Sequence, residues 1–171
     1  MKLDLFVSEV ETGQRIPVQI EPMTEADAEQ TRTTPRWQTD WTSDFIQDTD
    51  KLKYALKTTD GELTALGTYS VQRDYVTVEI VYIESHPASN PTMTARKKYN
   101  GLGKAMIAFG IALSVNHGCE GCVTFEAKTT GLARHYAEDF GAIALPAWGG
   151  PPRFMIDGES AIAVISDFLT E

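Results

Sequence analysis

Lys98-Tyr99-Asn100-Gly101-Leu102-Gly103-Lys104 stands between a β-branched run and a long apolar stretch with helical character. Glycines at 101 and 103 admit backbone angles closed to other residues and let main-chain N–H groups approach an oxygen-rich ligand with no Cβ in the way. Those N–H groups are the unpaired donors of a helix start, so a diphosphate there meets aimed hydrogen bonds and the positive end of the helix dipole. Arg96, Lys97, Lys98 and Lys104 surround the turn, although the chain carries a formal net charge of -9. Basic charge gathered on an acidic background marks an anion site more sharply than the same charge on a basic protein. The spacing fits neither the Walker pattern G-x-x-x-x-G-K-[ST] nor the Rossmann pattern G-x-G-x-x-G.

Outward from the turn, the pattern alternates strands and helices. Leu3 to Val10 and Arg15 to Pro22 predict a β-hairpin around Glu11-Thr12-Gly13-Gln14, with Gly13 where the turn needs positive φ. Thr24 and Asp27 form a capping signature for a short helix. The polar segment from Thr31 to Asp50 carries Trp37, Trp41 and Phe45; such aromatics either cap a core, the commoner role, or wall a substrate site. Leu52 to Thr58, Leu63 to Gln72 and Tyr75 to Glu84 predict an antiparallel meander, its third strand apolar on both faces and therefore central. Ser85 to Lys97 is a loop. Leu102 to Asn116 is a helix buried on most sides, ended by Gly118. Cys122 to Ala127 is a strand, and Gly131 to Phe140 a helix with Leu132, Tyr136 and Phe140 on one face. Ala142 to Leu145 and Phe154 to Ile156 are final strands around Pro146 to Pro152, and a last helix spans Ser160 to Leu169.

With 171 residues, 42% hydrophobic and 23% charged, the composition is that of one globular domain over residues 1–171. A pI near 4.8 disfavours a nucleic-acid or membrane partner and favours cationic substrates such as amines. Met1-Lys2-Leu3-Asp4 lacks the apolar core of a signal peptide, so a cytoplasmic location is expected. Cys119 and Cys122 with His117 offer three metal ligands where structural zinc takes four, and His86 and His135 lie far off in sequence. The C-x-x-C follows a helix instead of opening one, so reduced thiols and no metal are expected.

The motif basic-x-x-G-x-G resembles the pyrophosphate-binding motif of the GCN5-related N-acetyltransferases (GNAT), R/Q-x-x-G-x-G/A, with Lys98 in place of Arg or Gln. A second segment, Gly131-Leu-Ala-Arg-His-Tyr136-Ala-Glu-Asp-Phe140-Gly141-Ala, is similar to the family's A-x-x-x-Y-E-x-x-G-F. Here the tyrosine precedes the glycine by five residues instead of four. The extra residue either turns the phenol by about a hundred degrees on the helix or is absorbed at the helix end.

The resemblance implies an α+β acyl-CoA N-acyltransferase fold from about Val18 to Ile156, a mixed central sheet flanked by helices. An N-terminal hairpin extension (1–17) and a C-terminal helix (157–171) lie outside that core. It implies acetyl-CoA as cosubstrate. The pantetheine arm would be bonded by the main chain of Ile83, Glu84 and Ser85, and the pyrophosphate would be taken by Lys98, Asn100, Gly101, Leu102, Gly103 and Lys104. The amine must lose a proton and the thiolate regain one. Glu126 matches a base used in some branches of the family, Glu84 ranks second, Glu79 is a further rival on the neighbouring strand, and Tyr136 matches the usual thiolate protonator. The implied activity is acetyl transfer to a primary amine of a small molecule or protein by direct attack in a ternary complex. A non-catalytic acyl-CoA-binding or scaffold domain of the same fold is the alternative. A third reading, another acyl group or a nucleic-acid acceptor, is disfavoured by the acidic surface. The oligomeric state is open, a homodimer included.

Overall fold

The N-terminal hairpin forms as β1 (Phe6–Glu9) and β2 (Arg15–Pro22), antiparallel with Val7 opposite Ile16. Gly13, at φ 71°, supplies the left-handed turn residue. β2 is used twice along its length. Its first three residues face β1, and Val18 to Pro22 pair with β3 (Leu52–Thr58). β2 changes partner at Val18, and the hairpin extends the sheet outward from there. These coordinates come from a computed structural model that describes residues 1–47, 50–146 and 149–170; Ala147 and Trp148, in the segment expected between the last strands, lie outside the described residues.

The chain packs as two units. The first comprises Asp4–Tyr69 and Tyr82–Met106. Its strands follow the order β6-β1-β2-β3-β4, where β4 is Leu63–Gln72 and β6 is Tyr99–Asn100. All four neighbouring pairs are antiparallel. The helix α1 (Glu25–Gln30) starts on a full capping box, in which Thr24 Oγ1 accepts from Asp27 N–H and Asp27 Oδ2 accepts from Thr24 N–H. A one-turn helix α2 (Asp44–Gln47) follows. Trp37, Trp41 and Ile46 are buried with Ala28, Ala55, Leu63 and Leu66 in one apolar cluster. Trp37 and Trp41 therefore serve the core, whereas Phe45 is 59% exposed.

The helix α3 (Leu102–Asn116) begins in this unit, and its start is fitted closely to β4. Gly67 leaves room for Met106, since a Cβ there would come within 2.5 Å of Met106 Cε. Tyr69, fully buried, donates its hydroxyl to Met106 O at 2.8 Å.

The second unit comprises Met1–Leu3, Ser70–Val81 and Ile107–Glu171. Here the start of β5 (Thr77–Ser85) pairs in parallel with β7 (Val123–Glu126). β7 pairs antiparallel with β9 (Arg153–Ile156), and β9 antiparallel with β8 (Ile143–Leu145). The helices α4 (Thr130–Phe140) and α5 (Gly158–Ser166) complete it. α4 has a Thr129 N-cap and ends on Gly141 at φ 64°. The last helix starts and stops earlier than the sequence predicts, because Asp157 is its N-cap and Phe168, folded back with its N–H on Ile165 O, is buried after the helix has ended. β5 likewise starts two residues late. Arg73–Tyr75 form a 3-10 turn and Val76 adopts φ 51°, a left-handed conformation that a β-branched residue rarely takes and that alternation of apolar residues does not reveal. Cys119 and Cys122 are free thiols in the α3-to-β7 turn, where Ser114 Oγ is bonded to both their carbonyl oxygens. Among the described residues no helix is long and apolar enough to cross a membrane.

Candidate active site

In the first unit, the turn that opens α3 has the geometry its glycines demand. Gly101 sits at φ 92°, and the first intrahelical bond runs from Ala105 N–H to Gly101 O at 3.0 Å. The N–H groups of Leu102 and Gly103 precede that bond, at the positive end of a fifteen-residue helix. A Cβ built on Gly101 or Gly103 meets nothing within 4 Å, so the backbone face is open to an approaching ligand. Leu102 is buried and anchors the helix start, while Asn100 is exposed.

The expectation that Lys98 meets a phosphate encounters a competitor. Its Nζ lies 2.7 Å from Glu62 Oε1, and Tyr99 donates its hydroxyl to Glu62 Oε2 at 2.8 Å. The bond to Glu62 raises the Lys98 pKa, which keeps the ammonium charged and tied to the β3–β4 turn. Nothing in the sequence singles out Glu62, because its contact spans 36 residues.

At the end of β5, Ile83 and Ser85 are half-buried and Glu84 is 4% exposed. Glu84 Oε1 accepts from Trp41 Nε1–H at 2.9 Å, and Oε2 accepts from Gln38 N–H at 2.8 Å and from Thr39 N–H at 3.4 Å. Both carboxylate oxygens thus hold the tryptophan-bearing segment onto the strand. Thr39 and Tyr82 add a hydroxyl pair at 2.8 Å, and Gln38 reaches Thr92 and Asn90.

The two ends of β5 are bonded to different elements. Val78 N–H donates to Cys122 O, ahead of β7, whereas His86 N–H donates to Thr64 O of β4. Ser85 C=O, opposed to His86 N–H across one planar peptide, therefore points away from β4. The parallel ladder with β7 runs from Val78 to Ile80, and β5 runs on to Ser85.

In the second unit, Glu126 ends β7 opposite Arg153 of β9. Arg153 Nη1 donates to Glu126 Oε1 at 3.2 Å, and its Nη2 lies 3.7 Å from Glu79 Oε1. One guanidinium thus bridges two of the three candidate carboxylates, and Arg153 was legible only once the register of β9 is known. Beside this group lies a cavity of about 370 Å³ lined by Tyr75, Thr124, Leu145 and Met155 with Glu79 and Arg153.

Tyr136 packs its ring edge-on against Phe125 at 4.7 Å and stacks near Phe140 at 6.3 Å. Burial pushes its pKa up, so the phenol keeps its proton at neutral pH. Phe125 and Glu126 are adjacent strand residues and point to opposite faces. Tyr136 and Glu126 accordingly lie on opposite sides of β7.

No family model matches the chain, and no curated protein matches it in sequence. Solved structures do match it in shape. An acetyltransferase from Bacillus subtilis in complex with CoA aligns at TM-score 0.54 and 14% identity, covering 82% of this chain and 97% of that one. A spermidine N-acetyltransferase SpeG chimera from Vibrio cholerae and hSSAT aligns at TM-score 0.58 and 11% identity, covering 85% and 98%. The spermidine/spermine N-acetyltransferase SpeG from Vibrio cholerae in complex with manganese ions aligns at TM-score 0.55 and 10% identity, covering 81% and 91%. Likeness at such identities establishes the fold. The chain has the acyl-CoA N-acyltransferase fold, α+β with strands paired both parallel and antiparallel, and helices.

Proposed function

We propose that the protein is an acetyl-CoA-dependent N-acetyltransferase acting on a primary amine. The observation that carries this reading is the turn at α3, where Gly101 and Gly103 leave the N–H groups of a helix start open on one side and Arg96, Lys97 and Lys104 stand nearby in sequence. That donor set suits the diphosphate of an acyl-CoA, which would be held by the backbone first and by lysine charge second. The half-buried end of β5 toward Ser85 suits the amide-bearing pantetheine arm, which would pair with strand backbone. The solved acetyltransferase bound to CoA supports the same cofactor class.

In the proposed reaction the amine lone pair attacks the thioester carbonyl carbon. A C–N bond forms, the C–S bond breaks, the amine proton passes to a carboxylate, and the CoA thiolate takes a proton. Tyr136, neutral and partly buried, has the protonation state that a donor to the thiolate requires. Glu126, exposed at the strand end and paired with Arg153, is the carboxylate assigned as base; because Tyr136 lies across β7 from it, the two would have to meet the thioester from opposite sides of the strand's end.

The experiment is isothermal titration with acetyl-CoA and with CoA, on the wild type and on Gly103→Val. Binding in the wild type that is lost in the variant supports the reading, and an amine panel with thiol-release detection then seeks the acceptor. Absence of binding in the wild type overturns it.

A second reading, a non-catalytic acyl-CoA-binding domain, is favoured by one observation. Glu84 and Glu126 both already hold protein partners. Glu126→Gln and Glu84→Gln separate the two, since an enzyme with one of these bases loses turnover in the corresponding variant while CoA still binds.

A further inference from the structure

We infer that the N-terminal hairpin is a positioning element for the anion-binding turn, so that acyl-CoA affinity depends on the main-chain bonds of residues Ser8 to Val10 to the strand that leads into the turn. The inference rests on the cofactor reading above. Its observations all lie within the first unit. Tyr99–Asn100, the two residues leading into Gly101, form the strand β6, and β6 pairs with β1, with Ser8 opposite Asn100 and Glu9 opposite Tyr99. Val10 N–H extends the ladder by donating to Lys98 O at 2.9 Å.

The opposite flank of the same three residues is also bonded. Lys98 N–H donates to Ala88 O at 2.8 Å, and Tyr99 N–H donates to Ser89 Oγ at 3.0 Å. The approach to the turn is thus held from two sides by main chain and from a third by Glu62, which takes the side chains of Lys98 and Tyr99.

Glycines at 101 and 103 leave the turn with more accessible backbone states than any other pair of residues would. Donor N–H groups bind an anion tightly only if they are already aimed. Two residues of β6 make too short a strand to hold that aim alone, and the hairpin supplies the missing edge. Its own turn is set by Gly13, whose N–H donates to Glu9 O at 2.8 Å, and by Glu9 N–H on Gln14 O at 2.9 Å. A disturbance at Gly13 therefore reaches β6 through β1 without any direct contact with the turn.

The test uses the full chain and two variants. Val10→Pro removes the N–H given to Lys98 O. Gly13→Val meets no atom within 4 Å but strains a residue at φ 71°. Each is expected to weaken acetyl-CoA binding by about tenfold for the direct variant and less for the remote one, the scale of one lost hydrogen bond plus loosened neighbours. Val10→Ala, which keeps the N–H, restores wild-type affinity. KM for acetyl-CoA should rise while kcat and the amine KM stay within twofold, a split that a general loss of folded protein does not produce.

Backbone hydrogen exchange at Lys98, Tyr99 and Ala105, whose N–H groups are bonded on either side of the turn, should quicken in both variants when measured without ligand. Folded variants with unchanged affinity and unchanged exchange overturn the inference. If Val10→Pro does not fold, Gly13→Val alone decides. If the wild type binds no CoA, the cofactor reading fails, and the exchange measurement still decides whether the hairpin holds the turn.

Discussion

Glu84 shows how one residue can satisfy a chemical expectation and still be engaged elsewhere. A glutamate on a central strand beside apolar neighbours invites assignment as a base. Its two oxygens, however, accept from the indole of Trp41 and the backbone of Gln38 and Thr39. Truncating it would leave the buried indole N–H of Trp41, and the less buried N–H groups of Gln38 and Thr39, with no acceptor from the strand. We expect Glu84→Ala to cost about 2–4 kcal/mol of stability and Trp41→Phe about 1 kcal/mol, both read from denaturant midpoints. Glu84→Gln keeps one acceptor oxygen but turns an NH2 toward a donor, so its cost falls between the two. For a positioning role, the Glu84→Gln enzyme retains turnover at reduced rate with the same dependence of kcat on pH. Loss of the acidic limb of that profile would instead make Glu84 the base.

At the scale of elements, the α1 cap links sequence, charge and pH. Asp27 accepts from Thr24 N–H, and Lys57 Nζ lies 2.9 Å from its Oδ1 and 2.6 Å from Glu21 Oε1. Burial alone raises the Asp27 pKa, but the bonds from Thr24 and Lys57 outweigh it and leave the pKa lowered. A carboxyl depressed on folding contributes stability that is present above its unfolded value, about 3.9, and is lost as pH falls through the lower folded value. Asp27→Asn should therefore destabilise by about 1 kcal/mol at pH 7, with the gap to wild type closing as pH falls below about 4. Urea midpoints of the pair at several pH values check this; a gap independent of pH would mean that packing, not charge, makes the cap.

Elements such as this one were readable because their cause is local. Thr24 and Asp27 are three residues apart, Gly101 and Gly103 two, and the periodicity from Leu102 to Asn116 is continuous. What escaped reading has causes distant in sequence or without an apolar signature. Tyr99–Asn100 is a strand only because β1 lies beside it. Val76 breaks a run that alternates like a strand. The partners of Lys98, Glu84 and Glu126 are Glu62, Trp41 and Arg153, and each pair is closed by tertiary geometry alone. The motif could therefore indicate where an anion would sit, but not which lysine has its charge already engaged.

At the scale of the whole molecule, the sign of the net charge bears on both proposed substrates at once. A protein of charge -9 repels an acyl-CoA, which is itself polyanionic, and attracts an ammonium acceptor. Salt screens distant charges first, since the Debye length is about 10 Å at 0.1 M and about 3 Å at 1 M, whereas aimed backbone donors in contact with a phosphate are screened least. Raising ionic strength from about 0.02 M to about 0.5 M should then leave kcat/KM for acetyl-CoA flat or raise it. For an amine carrying two or more positive charges, kcat/KM should fall several-fold over the same range, through slower association. Steady-state kinetics with each substrate varied in turn, at fixed pH and with a non-coordinating salt, checks both signs together. A steep fall for acetyl-CoA would show that lysine and arginine charge, and not the backbone of the Gly101–Gly103 turn, dominates its capture. A flat response for every active amine would mean that the acidic surface has no part in selecting the acceptor.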